Sequence, residues 1–412
     1  MGRTVLHCDM NNFYASVERL YDERLKQVPV VVCGNVEKRH GIVLAKSEEA
    51  KKCGVKTGDP LWMALQKCPS AVAVEPHFER YVKYSRLATQ IYEEYTDLVE
   101  PFGLDENWLD VTASRLAFGD GVTIGNRLRE RMKKELGLTI SVGVSFNKVF
   151  AKLGSDRKKP DGLTLISEEN FREVVWPLPV EELFGVGRQT LAFFRRFGIL
   201  TVGDLAHAND TLLKHKMGKV GAQLKAWANG GDESPVLSRE EQNPMKSVGH
   251  GLTTPKDLTT PEEVWHLILE LCQDIGEKLR RYKRKARGIA LDCKDRNLVS
   301  RSVQKTLPAP TDNTMTLAKE AFSLFQSRFT LSEPLRAVTV RAISLEEEGA
   351  TQLSLFAEDN APSRSSAIDR VTDQIRHRYG KDALKSATLL DRALPDSHGY
   401  IPFRGFEPQE EK

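Results

Sequence analysis

The sequence predicts a multidomain α+β protein, and three observations lead there. At 412 residues the chain has the length of about two to three domains at roughly 150 residues each. Its first 165 or so residues read strand, helix, strand, insert, helix, hairpin, helix, strand. Short helices broken by glycine follow over 170–235, and a second mixed segment runs over 248–345 beyond a charged stretch, 236–247, that carries Pro244. Helices on one face of a largely antiparallel sheet would make the first part an arrangement of ferredoxin-like type.

Each element has its own signal. Thr4–Cys8 is a short apolar-rich run that ends at Asp9; Phe13, Val17, Leu20 and Tyr21 then recur at helical spacing. Val28–Cys33 reads as a buried strand closed by Gly34. Residues 35–76 are small, basic and punctuated by Gly41, Gly54, Gly58, Pro60, Pro69 and Pro76, which suggests a compact insert. Tyr84, Leu87, Ala88, Ile91, Tyr92 and Tyr95 form a helical stripe. Phe102–Val111 is a hairpin candidate with acids at its centre. Ile124, Leu128, Met132 and Leu136 mark a helix that Gly137 ends, and Ile140, Val142 and Val144 alternate as a strand. Farther on, strands are expected near 287–293 and 337–345, and a helix over 364–379 in a polar tail.

Composition narrows the class. Sixty Lys and Arg against 57 Asp and Glu leave a net charge of +3, with 40% hydrophobic and 28% charged residues. That is ordinary globular composition, neither disordered nor fibrous. The longest apolar run, Val28–Cys33, is far too short to span a bilayer. The N-terminus has no cationic-then-apolar leader, so the expected location is the cytoplasm. The six cysteines form no CxxC pair and no zinc spacing with histidine, and are expected to be reduced and mostly buried.

The acids carry the chemistry. Asp9 falls where a strand ends, and Asp105-Glu106 lie in the hairpin 96 positions on, beside Leu104, Trp108 and Leu109, which read as core. Solvated turn acids would need no such setting. Three carboxylates at neighbouring strand tips repel unless cations sit among them. A pair of Mg²⁺ ions roughly 4 Å apart meets that need and suits in-line nucleotidyl transfer.

Asp9-Met-Asn-Asn-Phe-Tyr-Ala-Ser-Val-Glu18 and Leu104-Asp-Glu-Asn-Trp-Leu-Asp110 closely resemble two signatures of the Y-family, lesion-bypass DNA polymerases, the bacterial DNA polymerase IV type nearest. Ser141–Leu153 and Lys158-Lys-Pro160 match further, and the resemblance runs from about residue 4 into the tail. It implies that Asp9 and Asp105 bind both Mg²⁺ ions, that the Met10 carbonyl completes one site, and that Glu106 serves the ion at the primer 3′-hydroxyl. Tyr14 falls on the steric-gate position, where a ring under the sugar excludes a ribose 2′-hydroxyl. Backbone amides near Asn12 and Phe13, with Lys159, would hold the triphosphate. Lys51 stands where the family usually has arginine. The chain departs from the family at Gly103, where serine is usual, at Glu48 in place of tyrosine, and at Ile42 and Leu44, bulkier than the small residues some members place over the incoming base pair. Glu48 is expected to pair with Lys52 at i, i+4, rather than with Lys51 at i, i+3.

By the same resemblance the palm covers 1–35 and 77–168, the fingers 36–76, the thumb 169–237, a linker 238–246, the little finger 247–345, and a tail 346–412. Leu183-Phe-Gly-Val-Gly-Arg188 looks like a helix-hairpin-helix, in which Gly185 and Gly187 let backbone and Arg188 approach a DNA phosphate. Residues 278–305 hold eleven Lys or Arg, among them Lys278, Arg280, Arg284, Lys285 and Arg287, against Asp292 and Asp295; duplex backbone binding without sequence readout is expected there. Gln352-Leu353-Ser-Leu355-Phe356 resembles the peptide by which bacterial polymerases dock the sliding clamp. These parts use up the chain and leave no length for a proofreading exonuclease. The expected protein is a monomeric, low-fidelity translesion polymerase acting on primer-template DNA and deoxynucleoside triphosphates. The alternatives are a nucleotidyl cyclase, against which the helix-hairpin-helix and the basic little finger weigh, and a catalytically inactive DNA- and clamp-binding adaptor, against which the intact acids weigh.

Overall fold

The computed structural model describes residues 2–35, 39, 41–238, 241, 245–347, 364–380 and 383–389. Two compact units form: one lies within Met1–Cys33 and Val43–Gln242, the other takes Gly34–Ile42 and the chain from Asn243 onward. Among the described residues no helix is long and apolar enough to cross a membrane.

The first unit begins β1 (Val5–Met10), α1 (Phe13–Tyr21), β2 (Val30–Cys33), β3 (Val43–Lys46), α2 (Glu48–Lys52), α3 (Leu61–Lys67), β4 (Val72–Val74) and α4 (Phe78–Glu93). It continues β5 (Val99–Pro101), β6 (Glu106–Asp110), α5 (Arg115–Phe118), α6 (Gly121–Arg131), β7 (Ile140–Ser145), α7 (Lys148–Arg157) and β8 (Leu163–Ile166). The main sheet has the order β5-β6-β1-β7-β8, antiparallel except for the pair β7–β8.

All six residues of β1 are buried, so both faces of this central strand are covered. Leu6, Cys8 and Met10 pack with Val142, Val144, Ile91, Ile124 and Leu128, under α4 and α6. Val5 and Trp108 on the other face meet Ala151 of α7. The expectation of helices on one face is thereby corrected. Gly143 makes the second layer possible: a Cβ there would stand 1.8 Å from the Ala151 carbonyl oxygen and 2.5 Å from the Ser155 nitrogen. The start of α7 is stitched to the segment that ends the unit. Asn147 caps the helix and donates to the Gly230 carbonyl at 3.0 Å, Asp232 Oδ2 accepts from the Lys148 amide at 3.1 Å, and Lys148 pairs with Glu100 at 2.6 Å.

The short strand β2 does not join the main sheet. It pairs antiparallel with β3 and parallel with β4 in a separate three-stranded sheet. The expected boundary at 35/36 therefore separates strands that pair with one another, and Gly34–Ile42 goes with the second unit. Four consecutive buried residues, Val-Val-Val-Cys, fit the interior of either sheet, so their pattern did not say which. Helices α8 (Phe171–Val175), α9 (Arg188–Arg196), α10 (Val202–His207) and α11 (Asp210–Ala228) close the unit, packed on Phe150, Leu153 and Ile166.

The second unit contains β9 (Ser247–Leu258), α12 (Pro261–Arg281), β10 (Arg284–Asp295), β11 (Ser300–Thr311), α13 (Thr314–Arg328), β12 (Leu335–Glu347) and α14 (Arg364–Tyr379). Its antiparallel sheet has the order β11-β10-β12-β9. Residues of α12 and α13 such as Leu267, Leu271, Ile275 and Leu317 share a core with Ile289, Leu291, Val338 and Val340. Helix α14 is bound to this unit through Asp373, which takes Arg280 at 2.5 and 2.9 Å, and through Asp369, which accepts from Asn313 at 2.7 Å.

Candidate active site

Asp9 and Glu106 are directly opposed across β1 and β6, as are His7 and Trp108. Directly opposed side chains leave a sheet on the same face, here the face that α7 covers. Asp105 stands at the turn into β6, tied to β1 by a bond from the Met10 amide to its carbonyl at 3.0 Å. Gly103 opens that turn; a Cβ there would lie 3.3 Å from Asp105 Oδ1. The three acids and Met10 therefore meet at one place.

Two lysines answer the acids. Lys159 Nζ donates to Asp9 Oδ2 at 2.7 Å and also meets Asp156 at 2.8 Å. Lys152 Nζ, from α7, donates to Glu106 Oε2. The sequence places Lys159 at the triphosphate and gives no sign of Lys152, although it lies within Ser141–Leu153. Burial above all, with Glu106 and Asp105 close by, holds the Asp9 carboxyl up to about 7 against the pull of Lys159. Burial and then the Glu106 charge raise Asp105 as well. For Glu106, burial also pushes upward, but hydrogen bonding and charge from His7 and Lys152 outweigh it and leave the group at about 2. Burial opposes the charge on Lys159, yet Asp9 and Asp156 hold it up at about 12.

Among the described residues no group of three His, Cys, Asp or Glu is gathered closely enough to hold a metal ion as it stands. The donor set nonetheless suits Mg²⁺: three carboxylates and a backbone carbonyl are hard oxygen ligands. A buried carboxyl held near 7 beside two others is under-neutralised, and added positive charge would relieve it.

Tyr14 stacks flat on Tyr81, with ring centroids 4.0 Å apart and planes 7° apart. Burial, and then Asp105 nearby, pushes its hydroxyl up to about 12. Tyr81 is buried and donates to Glu18 Oε1 at 2.6 Å; Arg80 binds the same buried carboxylate at 2.7 Å. This backing was not seen in the sequence, because Tyr81 falls before the helical stripe identified there.

Asn12 caps α1 in the left-handed conformation (φ 50°), with Phe13 as the first helical residue. The first-turn amides of a helix have no acceptor within it. Glu48 pairs with Lys51 at 3.7 Å, and Asn12 Nδ2 reaches the same carboxylate at 3.5 Å. The expected pairing of Glu48 with Lys52 is thus corrected. In the short α2 the i, i+3 partner is the one within reach. The expected nucleotide-binding residues therefore stand in two groups, Lys159 on the acids and Lys51 with Asn12 around Glu48.

Gly185 adopts a positive φ of 88°, and Gly187 is the N-cap of α9, which opens with Arg188. The first helix of the expected hairpin is a single 3₁₀ turn, Val180–Glu182. The basic segment 278–305 divides. Lys278 and Arg280, at the end of α12, are turned into the unit by Asp274 (2.6 Å) and Asp373 (2.5 Å). On β10, Arg284 meets Glu347 at 2.9 Å and Arg287 meets Glu346 at 3.5 Å, while Lys285 lies opposite Glu346. Gln352, Leu353, Leu355 and Phe356 lie outside the described residues. All six cysteines are free, and of them only Cys53 is exposed.

The chain belongs to the impB/mucB/samB family: residues 8–156 match the family model, and residues 245–355 match that of its C-terminal domain. It is 47% identical over 396 residues to the DNA polymerase IV of Acetivibrio thermocellus, covering 96% of this chain and 99% of that one. It is 34% identical over 415 residues to DNA polymerase IV 1 of Bacillus subtilis, covering 100% and 99%. The fold is similar to that of a solved Y-family DNA polymerase chimera, Dbh-Dpo4(243-245)-Dbh, with a TM-score of 0.75 at 24% identity over 83% of this chain and 99% of that one. The resemblance to Y-family polymerases and the multidomain α+β class both hold.

Proposed function

We propose that the protein is a DNA-directed DNA polymerase of the translesion type, joining deoxynucleoside triphosphates to a primer 3′-hydroxyl with release of pyrophosphate. The observation that carries this reading is the in-register meeting of Asp9 and Glu106, with Asp105 beside them and Lys152 and Lys159 as counter-charges. Similarity to DNA polymerase IV over nearly the whole chain supports it. Asp9, Asp105, Glu106 and the Met10 carbonyl would hold two Mg²⁺ ions. The chemistry supplied by such ions would be Lewis acidity toward the 3′-hydroxyl and screening of the triphosphate charge. Lys159 exchanges Asp9 for phosphate oxygen, and the α1 amides at Asn12 and Phe13 give the phosphates further donors, with Lys51 at their edge. Tyr14, backed by Tyr81, fills the space a 2′-hydroxyl would need.

Palm, fingers, thumb and little finger follow the boundaries given above, except that β2, which pairs with β3 and β4, is counted with the fingers. Thumb amides at Gly185 and Gly187 with Arg188 bind duplex phosphates, and Arg284, Lys285 and Arg287 of the little finger do the same. Residues 352–356 dock a sliding clamp. The enzyme works as a cytoplasmic monomer of low fidelity. Primer extension by the purified protein with Mg²⁺, offered one nucleotide at a time on intact and damaged templates, tests the reading. Templated extension past a lesion is expected. Duplex binding without extension would replace the polymerase with a DNA-binding adaptor.

A further inference from the structure

His7 has no role in the mechanism above, yet its ring is fully enclosed beside the acids, 5.2 Å from the Trp108 ring it meets edge-on. Its Nδ1 lies 2.8 Å from the hydroxyl of Ser155, a buried residue of α7. That hydroxyl is also 2.8 Å from the Lys152 carbonyl but has one proton to give; with the acceptor-only Glu106 carboxylate opposite Nε2, the ring proton sits on Nε2 and the hydroxyl donates to Nδ1. The Nε2 atom lies 3.5 Å from Glu106 Oε2 and, among the described residues, makes no shorter polar contact. We propose that His7 is a positioning residue for Glu106: Ser155 fixes the rotation of the ring, the Nε2 proton is directed at Oε2, and Oε1 is left to the divalent cation.

Three features support this. His7 and Lys152 approach the same carboxylate oxygen, which fixes the rotation of the carboxylate. A buried polar nitrogen just beyond hydrogen-bonding distance is costly to leave unsatisfied, and a small movement of Glu106 toward it completes the bond. Losing a group that hydrogen-bonds to a cation's ligand typically costs about 10- to 100-fold in affinity for the cation. The inference rests on the polymerase reading, since it takes the acids as cation ligands.

The test uses the full-length protein and Mn²⁺ as probe, with binding read from the loss of the free-Mn²⁺ paramagnetic resonance signal, alone and with primer-template. Glutamine places an amide N–H near the position of Nε2; asparagine places one near Nδ1. His7→Phe and His7→Asn should weaken Mn²⁺ binding about tenfold, His7→Gln by less than about threefold, and Ser155→Ala by an intermediate factor. The Mg²⁺ midpoint for single-nucleotide insertion should shift by the same factors, with the rate regained at saturating Mg²⁺. A merely structural role would not separate glutamine from asparagine. Equal affinities for those two variants, or an unchanged affinity in Ser155→Ala, overturns the inference, and both comparisons stand if His7→Phe does not fold. A wild-type protein that extends no primer would remove the polymerase reading, and this inference with it.

Discussion

Replacing Asp9 with asparagine should stabilise the metal-free protein while destroying its activity. The Asp9 carboxyl is held up to about 7, against an ordinary value near 3.9. The folded protein thus keeps the proton over a range in which the unfolded chain has lost it. The native state binds more protons between about pH 4 and pH 7, so stability falls as pH rises through that window, and the penalty is complete above it. About three pK units at 1.36 kcal/mol each give a ceiling of roughly 4 kcal/mol. Lys159 relinquishes Asp9 in the variant but keeps Asp156 at 2.8 Å, so no lysine is stranded. Allowing for local relaxation, a gain of about 1–2 kcal/mol at pH 8 is expected, or about 2–4 °C in melting temperature per kcal/mol. Thermal unfolding of both proteins in EDTA from pH 4.5 to 8 measures it. The difference should be smallest at the acid end and grow toward pH 7, and Mg²⁺ should narrow it by stabilising the wild type. An Asp9→Asn protein that melts below the wild type in EDTA at pH 8, or a difference that does not grow with pH, would refute the reasoning.

Asp105→Asn or Glu106→Gln should slow primer extension by at least about 10³-fold with little change in duplex affinity, since metal charge stabilisation is worth several kcal/mol; single-turnover kinetics beside a filter-binding assay separates the two. Tyr14→Ala should raise ribonucleotide insertion sharply while deoxynucleotide insertion survives, as read from the ratio of kcat/KM values. Lys159→Ala should weaken nucleotide use roughly 10- to 150-fold, the worth of a charge-assisted hydrogen bond, whereas Glu48→Gln, which disturbs only the long contacts to Lys51 and Asn12, should change it slightly; steady-state kinetics of both variants compares them. Gly143→Ala should cost about 3 kcal/mol or more in thermal or denaturant unfolding, because no side-chain rotation relieves a clash with the helix backbone.

Much of the site was legible because its acids sit among apolar residues, as Asp105 and Glu106 do beside Leu104, Trp108 and Leu109. Spacing along the chain could not reveal what stands across from them. Lys152 and His7 reach Glu106 from another helix and from the neighbouring strand, and neither sequence position carries a sign of that meeting. The layer formed by α7 was missed for a related reason. Its contact with the sheet depends on a missing side chain, at Gly143, and an absent group leaves no periodic trace. In the second unit the inner strands β10 and β12 were legible as apolar runs. The outer strands β9 and β11 were not, since each is polar and carries proline, at Pro255 and at Pro308 and Pro310. Proline is tolerated at the edge of a sheet, where one side of the strand needs no partner.

Helix α7 joins two distant parts of the first unit. Its first turn is bound to Gly230 and Asp232, just before the chain leaves for the second unit, and farther along it carries Lys152 and Ser155 to the acids. From Asn147 to Ser155 is about 12 Å at 1.5 Å per residue. A helix is stiff along its axis, and the close contact at Gly143 leaves no slack against the sheet. The counter-charge of Glu106 and the anchor of residues 230–232 therefore stand on one stiff element.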